Sequence, residues 1–188
     1  KLIPYIDMPV QHGSDNMLKL MRRGLKTDGI RNKIDKLRTI NPEIAIRTSI
    51  IVGHPGETEQ EFQMLYDFVD EMKFDRLGVF TYSNEDGTYG YNAYKDEIPQ
   101  QVKYDRMDAI MLLQQDISLE KNQKLVGNTE RVIIDKYLDD RSSIGRTYRD
   151  SPDVDNTVII DGHHPIGCFL DVKITDATEY ELQASPIE

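Results

Sequence analysis

Ile44–Phe62 reads IAIRTSIIVGHPGETEQEF, and this stretch decides the fold. Thr48-Ser49-Ile50-Ile51-Val52 is a continuous run of small and β-branched residues, the pattern of a strand buried on both faces of a parallel sheet. The run breaks at Gly53-His54-Pro55-Gly56. Thr58 and Glu61 then have the spacing of a capping box, and Phe62, Leu65, Tyr66, Val69 and Met72 continue at helical period. The unit is strand, glycine turn, helix, and α/β folds bind ligands above such turns, at the C-terminal ends of strands.

Working outward, residues 2–10 (LIPYIDMPV) read as a strand whose hydrogen bonding is limited by Pro4 and Pro9. Ser14 or Asp15 caps a helix carrying Met17, Leu18 and Met21, closed by Arg22-Arg23-Gly24. Thr27-Asp28 starts another helix with Ile30, Ile34 and Leu37 on one face. Beyond the central unit, 75–83 (DRLGVFTYS) is a strand and 84–98 a long, tyrosine-rich polar loop. Pro99 opens a long helix with Met107, Ile110, Leu113 and Ile117 as its apolar stripe. Three strands alternating with helices imply βα units and a parallel sheet, the second half of a barrel and not a closed one.

After Gly127 the pattern changes to short strands at about 129–138, 143–149, 156–160, 168–176 and 179–184, separated by turn signals. Five short strands in about sixty residues indicate a small β-barrel of the oligonucleotide-binding type. The boundary falls at 125/126, giving domains 1–125 and 126–188.

The 188 residues carry a net charge of −10, unevenly distributed. Residues 126–188 hold six basic and thirteen acidic side chains, a net of −7. That disfavours a phosphate-binding surface and nucleic acid as primary partner, and suits a basic one. Arg146, Tyr148 and Arg149 alone suggest RNA contact, but Asp150, Asp153 and Asp155 beside them oppose it. No apolar stretch approaches a membrane span. The single cysteine, Cys168, forms no disulfide within the chain, provides no cluster-binding set, and reads as a small core residue of a strand. The chain starts at Lys1 without an initiator Met, as expected of a piece of a longer protein. His12, His54 and His163-His164 lack metal-ligand spacing, so no metal site is expected. An open half-barrel would expose a strand edge and apolar faces, so self-association is expected.

Four segments share one resemblance. YIDMPVQHGSDNMLKLMRRG and IRTSIIVGHPGETEQEF resemble the fourth- and fifth-strand segments of radical S-adenosylmethionine (SAM) methylthiotransferases. YSNEDGTYGYN, with the helix ending QQDISLEKNQKLVG, is similar to the end of their radical SAM domain. GRTYRDSPDVDNTVII resembles the TRAM domain of the RimO family, where the tRNA-modifying MiaB family carries an asparagine-rich segment. The resemblance implies the C-terminal half of a TIM-type (β/α) radical SAM barrel followed by an all-β, five-stranded, OB-like TRAM barrel. It implies a cytoplasmic parent enzyme that adds a methylthio group to the β-carbon of an aspartate in small-subunit ribosomal protein twelve, using SAM and two 4Fe-4S clusters. The CxxxCxxC motif of such enzymes is not in this chain, so none of the clusters is ligated here and the chain alone should be inactive, with no catalytic residue of its own. A MiaB-type tRNA methylthiotransferase and a non-enzymatic TRAM binding module are the alternatives.

The resemblance also implies cofactor-binding positions. Gly53 and Gly56 would let the backbone approach SAM, and Arg47 would pair with its carboxylate, unless Arg47 is simply exposed at a loop end. Ser49 lies on the same strand. Gln11, His12 and Ser14 follow the fourth strand, where the ribose would be contacted, unless Ser14 is only a helix cap. Phe80 and Tyr82 would flank adenine, unless they are core. Glu57 serves the turn or the ligand, and Tyr89, Tyr91 and Tyr94 line a cleft or pack on the barrel rim.

Overall fold

The computed structural model describes residues 2–187, which form two compact units: residues 6–114, and residues 115–187 together with 2–5. The first holds a three-stranded sheet in the order β1-β2-β3, with β1 at Tyr5–Asp7, β2 at Ala45–Val52 and β3 at Arg76–Thr81. Pro4 and Pro9 cut the expected nine-residue first strand to three; beyond it the Met8 amide still donates to the Arg47 carbonyl, and Gln11 forms a parallel bridge to Ile50. β2 and β3 are parallel, in register from Arg47 opposite Arg76 to Val52 opposite Thr81.

β2 is not buried on both faces. Ile46, Thr48, Ile50 and Val52 are buried, whereas Arg47, Ser49 and Ile51 on the other face are half-buried. The run of β-branched residues conceals an alternation, because Ser49 and Ile51 are small or apolar without being enclosed. The buried residues of α2 (Thr27–Ile40) and α3 (Glu59–Met72), namely Ile30, Ile34, Leu65, Phe68 and Val69, supply the apolar surface that a layered α/β unit needs.

α1 (Asp15–Leu20) is capped by Ser14, whose hydroxyl accepts from the Met17 amide. Thr58 caps α3 as its spacing predicts, accepting from the Glu61 amide at 3.2 Å. Glu61 does not close the box on its own helix; its carboxylate accepts from the Ser14 hydroxyl and from Asn16 Nδ2, tying α3 to α1. The loop 84–98 is not structureless. Thr88 caps a short α4, Tyr89–Ala93.

α5 spans Gln100–Gln123, and residues up to 114 belong to the first unit. Its buried face is more polar than the apolar stripe suggests: Lys103, Arg106, Gln114, Ser118 and Asn122 are buried beside Ile110 and Ile117. Each of those polar side chains has a partner, for example Gln114 Nε2 on the Phe74 carbonyl and Asn122 Nδ2 on that of Thr178.

The second unit is a closed five-stranded barrel in the order β4-β5-β6-β8-β7, formed by β4 (Thr129–Tyr137), β5 (Ser142–Arg146), β6 (Thr157–Asp161), β7 (Phe169–Ala177) and β8 (Glu181–Pro186). All pairs are antiparallel except β6 with β8. Alternate residues fill one core: Val132 and Ile134, Val158 and Ile160, Val172 and Ile174, Leu182 and Ala184. Cys168 packs partly buried against that core, just before β7.

Gly13, between β1 and α1, generates a test of the packing. A Cβ there would lie 2.6 Å from the Phe68 Cβ and 2.9 Å from the Leu65 Cα, whereas one at Gly24 would meet nothing within 4 Å. Gly13→Ala should therefore lower stability in urea titration by roughly 1–3 kcal/mol, with Gly24→Ala near neutral.

Candidate functional site

The turn after β2 is organised by one buried carboxylate. Gly53 and Gly56 adopt φ of +74° and +91°, which only glycine takes without strain. This reverses the chain so that the fully buried Glu57 side chain points back at the strand end, accepting from the Gly53 amide at 2.9 Å. Arg106 of α5 donates to the same carboxylate at 2.9 Å and to the Glu57 carbonyl at 3.1 Å. His12, in the loop after β1, faces Glu57 Oε2 across 3.3 Å through Nε2. Its Nδ1 accepts from the Ser14 amide, so Nε2 carries the proton and donates to Glu57. Glu57 thus serves the turn.

A second basic residue completes the frame. Lys103 crosses Gly53 so closely that a Cβ there would lie 2.3 Å from the lysine Cγ. Its ammonium donates to Asp96 at 2.6 Å and to the Tyr82 carbonyl at 3.3 Å.

A cleft of about 470 Å³ opens at the C-terminal ends of β2 and β3, lined among others by Gln11, Ile51, His54, Phe80, Tyr82 and Tyr89. Phe80 is 58% exposed, unusual for a large apolar side chain beside a buried sheet. The His54 ring stands edge-on to Tyr82 at 4.9 Å and to Tyr94 at 5.6 Å, with Nδ1 2.8 Å from the Pro55 carbonyl. Burial holds His54 below its ordinary value, against the opposing pull of that carbonyl and of Glu57. Burial, and then Asp96, raise the Tyr82 phenol.

Of the positions singled out in the sequence, Gln11, Phe80 and Tyr82 come together in this cleft. Others serve the protein itself. Ser14 is a helix cap. The space beside Gly53 is filled by Lys103, and a Cβ at Gly56 would meet Leu20 Cδ1 at 3.0 Å, so these glycines make room for side chains of this chain. Arg47 is neither at a loop end nor at the cleft: it lies within β2, five residues before Val52, and pairs with Asp7 at 3.0 Å. Ser49 is also in mid-strand and outside the lining. The tyrosine run packs on the rim, with Tyr94 Oη donating to the Leu20 carbonyl at 3.3 Å and Tyr89 edge-on to Tyr94. Sequence reasoning missed Arg22 and Lys103. Arg22 had one signal, its place in the Arg-Arg-Gly that ends α1. Among the described residues no group of His, Cys, Asp or Glu is placed to hold a metal ion.

In the barrel, the arginines that suggest RNA contact already have acidic partners. Arg146 pairs with Asp135, and Arg149 with Glu130 at 2.7 Å while stacking over Tyr148. Part of the acidic run is likewise internal: Asp150 is buried and accepts from the Thr147 hydroxyl, and Asp155 accepts from the Ser151 amide. His163 stacks on Tyr137, and His164 reaches the Asp161 carbonyl within its turn. No helix among the described residues is long and apolar enough to cross a membrane.

Residues 126–187, the barrel, match the TRAM domain family. The chain is 50% identical over 181 residues to the ribosomal protein uS12 methylthiotransferase RimO of Cytophaga hutchinsonii, covering 95% of this chain and 41% of that protein. It is 44% identical over 187 residues to the RimO of Vibrio cholerae, covering 98% and 39%, and 44% identical over 180 residues to that of Clostridioides difficile, covering 95% and 40%. The chain spans about two fifths of the length of these curated relatives.

Two measurements test the frame. Glu57→Gln removes the buried countercharge of Arg106 and leaves it only the exposed Glu59 carboxylate at 3.3 Å, so it should destabilise the chain by about 3–5 kcal/mol, more than Glu57→Leu combined with Arg106→Met. For His54, the folded chain holds fewer protons than the unfolded one just below pH 6.5. Its contribution to stability is therefore complete above pH 6.5 and declines as pH falls toward the lowered folded value. His54→Phe should flatten that segment of the stability–pH curve.

Proposed function

We propose that this chain, a RimO-type sequence along nearly all of its residues, belongs to an enzyme that adds a methylthio group to the β-carbon of an aspartate in ribosomal protein uS12. The observation that carries the reading is the 50% identity to a uS12 methylthiotransferase over 95% of the chain. In this reading residues 1–125 are the second half of a (β/α) barrel, and the half-buried face bearing Arg47, Ser49 and Ile51 is its lumen side. Residues 126–188 are the TRAM barrel.

The cleft suits an adenosyl ligand. Its volume is within the range of small-molecule sites, its position is the strand C-terminal ends, and Phe80 and Tyr82 offer aromatic surface. SAM, when bound, supplies the one-electron chemistry that activates an unreactive C–H bond. The residues present would hold it: Phe80 and Tyr82 flank the adenine, the Gln11 amide meets polar groups, and the neutral His54 ring closes one wall without adding charge. An iron–sulfur cluster does not fit the described residues, which offer no thiolate set.

The acidic barrel is the surface for a basic ribosomal protein. Net charge steers encounter, and Arg146 and Arg149, already paired with Asp135 and Glu130, add little to an RNA surface. The ribosomal substrate sets the reaction in the cytoplasm.

The test uses the complete enzyme, reconstituted anaerobically. It should modify one aspartate of uS12, read by mass spectrometry of the digested protein. Modification of tRNA and not of uS12 would sink the reading. Phe80→Ala should raise the SAM dissociation constant about three- to tenfold.

A further inference from the structure

Arg22 stands where helices usually place glycine or asparagine. It follows the C-cap of α1 in the left-handed region, φ +56°, with its amide on the Lys19 carbonyl at 3.0 Å. A non-glycine residue there carries backbone strain, and retained strain concentrates at ligand clamps. The strained turn lays the guanidinium over the Tyr89 ring, with its central carbon 3.3 Å from the ring centroid. That ring is itself held, edge-on to Tyr94, whose hydroxyl is tied to the Leu20 carbonyl.

Three further facts point the same way. Arg22 lines the cleft together with Phe80 and Tyr82. No carboxylate among the described residues is within ion-pair distance of it, and the acid on the same lining, Glu85, accepts from the Ser83 hydroxyl. Arg23 adds a second positive charge to the lining, anchored by Nη2 on the Pro9 carbonyl at 2.8 Å. A guanidinium stacked by its face keeps its edge donors free in the plane, the fork that matches a carboxylate.

We propose that Arg22, stacked on Tyr89, is the clamp at the mouth of this cleft for a ligand carboxylate; Arg47, outside the lining of the cleft, pairs with Asp7. The proposal rests on the methylthiotransferase reading of the cleft. Two ligands bring a carboxylate there, the methionyl end of the cofactor and the acceptor aspartate of the substrate.

The experiment uses the complete enzyme and Arg22→Gly, which removes the side chain and relieves the backbone strain. The probes are S-adenosylhomocysteine, which has the carboxylate, 5′-methylthioadenosine, which shares the adenosyl group and lacks it, and the acceptor peptide of uS12 with its aspartate or with asparagine in its place. If the clamp takes the cofactor, Arg22→Gly weakens S-adenosylhomocysteine about ten- to a hundredfold and leaves 5′-methylthioadenosine unchanged. If it takes the substrate, both nucleosides bind as before, and the aspartate peptide loses that factor while the asparagine peptide does not. Equal loss for both nucleosides, or no loss for any probe, overturns the clamp. A wild-type enzyme that binds neither nucleoside overturns the reading of the cleft, and the clamp with it.

Discussion

One buried carboxylate holds the first unit's functional end together. Glu57 collects the Gly53 amide, the His12 imidazole and the Arg106 guanidinium, one from each of three chain segments that arrive from different directions. An ionised carboxylate out of water is tolerated only when its lone pairs are met, so its position selects a narrow set of loop conformations. The two left-handed glycines turn the chain so that the Gly53 amide meets the carboxylate, while Lys103 crosses Gly53 to reach Asp96 and the Tyr82 carbonyl. The polar seam of α5 answers the same acid: Arg106 is buried where Glu57 receives it, and an apolar residue there would leave the acid without its arginine.

The cleft is open for a related reason. The charged network holds the turn after β2 on one side, and the tyrosine-rich segment is held on the other by ring contacts and by the Tyr94–Leu20 hydrogen bond. Between them the ends of β2 and β3 keep Ile51, Phe80 and Tyr82 accessible. His54 is neutralised by burial within this wall, so the aromatic surface gains shape from it without an added charge.

The second unit meets its requirements by closure. Five strands join edge to edge, leaving no open ladder, and the alternation of Val132, Ile134, Val158, Ile160, Val172, Ile174, Leu182 and Ala184 fills the interior. Its charges are partly spent on itself. Asp135 and Glu130 hold arginines, while Asp150 and Asp155 shape the loop between β5 and β6. The exposed acidic remainder includes Asp139, Asp140 and Asp153.

The sequence by itself determined the element order apart from the short α4, the glycine turn, the cap at Thr58 and the five-stranded barrel, because these rest on local periodicity and turn chemistry. It also brought out Gln11, Phe80 and Tyr82, since each follows or ends a strand that the motif identifies. Tertiary structure decided the rest. Ser14 and Arg47 carry groups that suit a ligand, yet whether such a group is free depends on a partner distant in sequence: Glu61 for the serine, Asp7 for the arginine. Arg22 and Lys103 were illegible for the converse reason. One looks like a helix-ending arginine and the other like a solvated helix face, until folding sets Tyr89 under the first and Gly53 beneath the second. Ion pairing and stacking act through space, and a linear pattern of residue types does not encode which distant group will fill the other half of the contact.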